Sequence, residues 1–212
     1  MKENGFVSVA VKLGAFFLPL LMLAVSTVHP PSSERETVQA SSKQVSGPGS
    51  TYLIGDSITL RGSIPYLNNM RPRWQKDYES GRGVGELPER VDFMIDRVGY
   101  PKNIVLALGS NPARNWTKAK YERIVDRFPT TSNVFFVTCY RAPDWKNQDK
   151  VTQYARWMRQ IAKARSNVHL IDWRKQVQSG NVRLSDGIHP ERGAGEVFWA
   201  RLVNSRVVSV NR

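Results

Sequence analysis

One cysteine and three histidines are all that this 212-residue chain offers in thiol and imidazole chemistry. With Cys139 alone, no intrachain disulfide can form and no thiolate metal site can be assembled. His29, His169 and His189 leave few routes to a histidine metal centre. Cys139 closes the apolar run Asn133-Val134-Phe135-Phe136-Val137-Thr138-Cys139, where a free thiol is expected as a small buried hydrophobe. Acidic residues are also scarce: 18 Asp plus Glu against 31 Lys plus Arg leave a net charge of +13 and a pI near 10.2. Such a surplus favours an anionic neighbour, whether wall polymer, membrane headgroup or nucleic acid. The cations are spread from Lys12 to Arg212 instead of massing in one arm, and neither zinc-finger spacing nor an aromatic RNA-binding motif accompanies them, which disfavours nucleic acid. Composition excludes collagen, coiled coil and wholesale disorder, and one real core is expected.

The N-terminus reads as an address. Residues 13–28 are apolar and follow Lys2 and Lys12, so residues 1–28 are expected to be a signal peptide or a membrane anchor. The apolar stretch falls short of the about 20 residues of a spanning helix, though residues 6–10 extend it if Lys12 snorkels. Ala24-Val25-Ser26 suits cleavage. Residues 29–50, rich in Pro, Ser, Gly, Gln and charge, read as a flexible linker. The domain over residues 51–212 is therefore expected outside the cytoplasmic membrane, secreted or tethered to it.

Within that domain, apolar runs alternate with amphipathic stretches. Tyr52-Leu53-Ile54 predicts a first strand and residues 74–79 a short second one. Residues 103–108, 133–139 and 167–172 predict the third to fifth. Between them lie a weak helix over 58–70, interrupted at Gly62 and Pro65, and a helix carrying Leu87, Val91, Met94, Ile95 and Val98 that stops at Gly99. Further helices are predicted over 117–128, along Val151, Tyr154, Met158 and Ile161, and over 195–203. Strand–helix alternation implies parallel pairing with right-handed crossovers, hence a three-layer α/β/α sandwich around a mainly parallel five-stranded sheet.

In that topology the loops after strands one, two, three and five open on one sheet edge, where such folds hold ligands. They contain Ser57, Gly81, Asn111 and the pair Asp186 and His189. A short Asp-x-x-His turn can set a carboxylate beside one imidazole nitrogen and leave the other facing a serine hydroxyl, as general-base activation requires. Taken singly, each has a blander reading: Ser57 in a turn or cap, Asn111 before Pro112 in a turn, Asp186 as a cap and His189 packed. His169 is expected to be a packed or edge histidine and Asp56 to hold its turn.

Gly55-Asp56-Ser57-Ile58, a glycine after the second strand, Gly109-x-Asn111 and Asp186-x-x-His189, in that order, resemble the four blocks of the SGNH (GDSL-like) hydrolase superfamily. The resemblance covers about 160 residues, the domain over residues 51–212, and implies its flavodoxin-like fold. It implies Ser57 as nucleophile, His189 as general base and Asp186 as its orienting acid. The oxyanion hole would come from the Ser57 N–H, a glycine N–H and the Asn111 amide. Ser80-Gly81-Arg82 is similar to the Gly-Arg turn of the peptidoglycan O-acetyltransferase branch, so Gly81 is the better match and Gly83 the alternative. Pro112 stands where many members have Asp or Gly.

Arg82, Arg114 and Arg141 are candidates for an anionic substrate. No metal or organic cofactor is required by this chemistry. The implied substrate is an O-acylated, chiefly O-acetylated, envelope glycan or another small ester. Many transferases of that branch carry a multi-helix membrane domain that supplies the acyl group. This sequence has none, which leaves a separate membrane acyl-donor protein or hydrolysis. The competing reading is a non-catalytic wall- or polysaccharide-binding module on the same fold.

Overall fold

The computed structural model describes residues 50–212, so the N-terminal segment and nearly all of the linker, residues 1–49, lie outside the described residues. No helix among the described residues is long and apolar enough to cross a membrane. Five strands, β1 (Thr51–Gly55), β2 (Gln75–Tyr78), β3 (Asn103–Ala107), β4 (Asn133–Val137) and β5 (Val168–Ile171), form one sheet in the order β2-β1-β3-β4-β5. Every pairing is parallel, as Tyr52 opposite Ile104 and Phe136 opposite Leu170 illustrate. Side chains alternate across a strand, so each central strand supplies both faces. Tyr52, Ile54, Ile104, Leu106, Val134 and Phe136 face α3 (Leu87–Val98), α4 (Lys118–Val125) and α5 (Gln148–Ala164). Leu53, Val105, Phe135 and Val137 face α1 (Ser57–Gly62), α6 (Trp173–Gln178) and α7 (Ala194–Val210). Each fully buried Leu, Ile or Phe contributes about 1.5–3 kcal/mol, which makes these two faces the main source of cohesion between the layers.

The expected three-layer α/β/α architecture is therefore present, with local differences. The interruption at Gly62 and Pro65 is a π turn, Ser63–Leu67, that carries α1 on into α2 (Asn68–Met70). A proline removes one N–H from the helical ladder, and a widened turn accommodates that loss. Helix α7 continues to Val210 instead of ending near Val203, because Val203, Val207 and Val210 extend its inward stripe past the polar Asn204, Ser205 and Arg206. Helix α6 has no counterpart in the expectation. Its side-chain cap is Asp172, which accepts from Lys175 N at 3.2 Å, and Trp173 anchors it in the core at 1% exposure.

Strand β1 lies between β2 and β3, so the chain leaves it toward one neighbour and returns on the other side. This reversal opens a crevice at the carboxyl ends of β1 and β3. Gly55 ends β1 there. Its backbone belongs to an extended strand, so the need for glycine is one of space: a Cβ would lie 2.0 Å from Thr59 Oγ1 and 2.3 Å from Thr59 Cβ, and Thr59 is fully buried in the first turn of α1. Gly55→Ala is expected to destabilise the protein by about 1–3 kcal/mol through overpacking, measured by thermal unfolding. An unchanged melting temperature would refute the contact.

Candidate active site

Ser57 is the first residue of α1, and Asp56 before it caps the helix by accepting from Ile58 N at 3.0 Å. Asp56 is 1% exposed and borders a cavity of about 10 Å³, which no substrate could enter. Burial pushes its carboxyl up to about 7, against the opposing pull of the Ile58 and Thr59 backbone N–H groups and the Arg82 charge. Its place is structural, as expected. Ser57 is half-buried, and its Oγ lies 2.8 Å from His189 Nε2 across 132 residues of sequence.

His189 closes the other half of the contact. Its Nδ1 lies 2.7 Å from Asp186 Oδ2, while Asp186 Oδ1 accepts from Ile188 N at 3.0 Å and His189 N at 2.8 Å. The turn is held below by Ser185 N donating to His189 O and by an antiparallel bridge between Leu184 and Pro190. Burial acts to raise the Asp186 carboxyl, but the hydrogen bonds from His189 and Ile188 outweigh it and bring it down to about 2. A carboxylate, an imidazole and a hydroxyl thus form one hydrogen-bonded line, the arrangement that can take a proton from Ser57. The turn sits in the connection between α6 and α7, not directly after β5, because α6 intervenes.

Asn111 follows β3 on a half-buried loop. Its backbone O accepts from Val84 N at 3.0 Å and its Nδ2 donates to Arg82 O at 3.2 Å, which fastens the loops after β2 and β3 together. Gly81 has φ +81, a conformation that L side chains rarely adopt, and is exposed. Gly83 is placed differently: its N–H donates to Glu86 Oε1 at 2.7 Å.

The candidate arginines divide. Arg82 is 5% exposed, and its guanidinium donates to Gly55 O, Asp77 O, Asp77 Oδ1 and Glu79 Oε2. This corrects its expected role toward substrate: its charge is spent holding the ends of β1 and β2 together. Arg114 is exposed on the loop after Asn111. Arg141 bonds inward to Ser110 O and Asn111 Oδ1.

Sequence reasoning missed the loop between β4 and α5. Ala142 N donates to Gly187 O at 2.9 Å, and Trp145 Nε1 donates to Asp186 O at 2.8 Å. Gly187, at φ +80, lies so close that a Cβ would come within 2.8 Å of both Trp145 Nε1 and Ala142 Cβ. The glycine between Asp186 and His189 was the available signal, since it marks a turn that another segment can approach closely. Cys139 is buried, its thiol pushed up to about 12 by burial, and it bonds Val151 O. His169 is partly buried beside Phe135, 5.1 Å between ring centroids, and its titration is lowered by burial and by Arg206.

The two aspartates respond to pH with opposite signs. The carboxyl of Asp186 is depressed, so its contribution to stability is present above about pH 4 and lost as pH falls toward 2. Carboxyl-carbon NMR is expected to show its midpoint near 2; a midpoint near 4 would contradict the turn geometry. The carboxyl of Asp56 is raised, so the folded chain holds that proton more tightly, and stability is lost as pH rises from about 4 to about 7. Asp56→Asn keeps a capping oxygen and is expected to gain stability relative to the wild type between pH 5 and pH 8 in urea unfolding.

No family model matches the chain. Among curated proteins, the O-acetyltransferase OatA of Staphylococcus aureus is 27% identical over 169 residues, covering 78% of this chain and 26% of the relative. The chain spans about a quarter of the length of the curated relatives it matches. Among solved structures, the C-terminal catalytic domain of Streptococcus pneumoniae peptidoglycan O-acetyltransferase A, bearing a methylsulfonyl adduct, superposes with a TM-score of 0.64 at 22% identity, over 76% of this chain and 90% of that one. A GDSL-like lipase from Bacteroides thetaiotaomicron gives 0.61 at 15% identity, over 79% and 92%. A mutant of the Geobacillus acetyl-xylooligosaccharide esterase Axe2 gives 0.55 at 18%, over 76% and 95%. These likenesses show the fold: the parallel five-stranded α/β/α sandwich of this chain is the one seen in those O-acetyltransferase, lipase and esterase structures.

Proposed function

We propose that the protein is an exported serine esterase or acyltransferase acting on O-acyl, chiefly O-acetyl, esters of a cell-envelope glycan. The observation that carries the reading is the unbroken line from Ser57 Oγ through His189 to Asp186, with links of 2.8 and 2.7 Å. Ser57 Oγ attacks the ester carbonyl carbon while its proton passes to His189 Nε2. The resulting oxyanion is met by the Ser57 and Gly81 N–H groups and by Asn111 Nδ2. Gly81 suits this role better than Gly83, whose N–H already serves Glu86. Collapse expels the sugar oxygen, which takes the proton from His189 and leaves an acyl-Ser57. Water or a second sugar hydroxyl, deprotonated by His189, then releases the acyl group. Asp186 remains ionised throughout and stabilises the transient imidazolium.

The substrate class is supported by several observations. The Asp186 side chain is 41% exposed, so the site lies at an open surface that a polymer can reach. The net charge of +13 suits an anionic wall, and of the three candidate arginines only Arg114, three residues after Asn111, is exposed. The named relatives include a peptidoglycan O-acetyltransferase and an acetyl-xylooligosaccharide esterase. Sequence composition supports export, with residues 1–28 as a signal peptide or membrane anchor and residues 29–50 as a linker, so that the domain is secreted or tethered. A separate membrane protein would supply the acyl group if the reaction is transfer.

A fluorophosphonate probe is expected to label the full-length chain at Ser57 and to fail on Ser57→Ala; absence of labelling in folded wild type would sink the catalytic reading in favour of a binding module. Asn111→Ala is expected to lower the rate on an acetyl ester by about 10²- to 10³-fold, as loss of one oxyanion donor does. Incubation with acetylated glycan, and with unacetylated glycan plus an acetyl donor, separates the two outcomes: free acetate marks an esterase, new glycan acetyl a transferase, and neither product in a Ser57-dependent manner would refute the substrate class.

A further inference from the structure

Arg141 has the charge and loop position of a substrate-binding cation, yet its guanidinium is turned to the protein. Nε donates to Ser110 O at 2.6 Å, Nη1 to Lys146 O at 2.9 Å and Nη2 to Asn111 Oδ1 at 3.2 Å. The guanidinium also lies 5.6 Å from the centroid of the Trp145 ring. Three bonds from one planar fork leave this side chain little freedom.

The bond to Asn111 has a chemical consequence. The two ends of a primary amide are nearly equal in shape but opposite in polarity, one accepting and the other donating. A guanidinium carries donors only, so the amide end that faces Arg141 has to be Oδ1. Nδ2 is thereby directed to the other side, where one N–H meets Arg82 O and the second is left for a substrate oxygen. Were the amide reversed, Oδ1 would oppose the Arg82 carbonyl and Nδ2 would oppose the guanidinium, two repulsive contacts in place of two hydrogen bonds. Reversal would also present a lone pair to the developing oxyanion.

We propose that Arg141 is a positioning residue that fixes the orientation of the Asn111 amide, so that its N–H end is held ready for the transition state. This rests on the esterase or acyltransferase reading of Ser57. Arg141 acts through Asn111 and not on substrate. The same loop bonds the Asp186 turn through Ala142 and Trp145, so one segment aligns the oxyanion side and the acid–base side of the site together.

The test uses the full chain and p-nitrophenyl acetate, a neutral small ester that gives an anion-binding arginine nothing to hold. Arg141→Met is expected to lower kcat about 10- to 100-fold with KM unchanged, a loss bounded by that of one oxyanion donor. Arg141→Lys, which again offers only donors, is expected to recover part of it. In an Asn111→Ala background, Arg141→Met is expected to cost almost nothing further, because the residue it positions is gone. An equal loss in both backgrounds would overturn the proposal, as would a raised KM with kcat retained. If Arg141→Met fails to fold by thermal melting, Arg141→Lys carries the same comparison: it must cost more kcat in the Asn111 background than in the Asn111→Ala background, or the proposal falls. A wild type that neither hydrolyses the ester nor reacts with a fluorophosphonate would bring down the esterase reading itself.

Discussion

Parallel pairing of β1 with both β2 and β3 is the constraint on which the rest of this molecule depends. It sends every strand's carboxyl end to one edge of the sheet, so loops that are remote in sequence meet there. It also requires that each connection cross back over a face, which covers both faces with helices and gives the two apolar layers their partners. The 2.8 Å approach of Ser57 to His189 is a product of this arrangement. Neither residue could find the other through local structure.

Electrostatics then assign different duties to two aspartates in the same region. Asp56 is 1% exposed, and burial holds its carboxyl near 7 despite the donors of the helix start. Asp186 sits in a turn that offers three donors and partial solvent, and it is held near 2. A group that must stay charged beside an imidazole belongs in the second environment, and a group that secures a helix start can tolerate the first. The buried cation Arg82 makes a similar point, since Asp77 and two backbone oxygens absorb the charge that would otherwise make it a ligand for substrate.

Strands and long helices could be read from the chain because their signals are local. Residues 103–107 are apolar on both faces, and Val151, Tyr154, Met158 and Ile161 repeat at helical spacing, so β3 and α5 need no knowledge of distant partners. Ser57, Asn111, Asp186 and His189 could be named because each sits in a short block whose order matches a known family. Helix α6 was not legible: six residues give too brief a period, and its stability comes from Trp173 entering a core formed by other elements. The parts assigned to Arg82 and Arg141 were equally hidden. An arginine on a predicted loop looks the same whether it meets solvent or a carbonyl.

The amino-acid sequence by itself determined the alternation of strand and helix, the parallel three-layer class and the hydroxyl, imidazole and carboxylate side chains available at the ends of its strands and in its turns, because hydrophobic period, turn residues and side-chain type are properties of neighbouring positions. Tertiary structure alone decided which cations face inward, which glycine N–H is engaged by Glu86, why Gly55 must yield space to Thr59, and how the loop between β4 and α5 grips Asn111 and the Asp186 turn at once. Those outcomes depend on contacts between segments 30 or more residues apart for the β4–α5 loop, and on the local packing left free once the sheet is closed for the others. Distance along the chain carries no record of either.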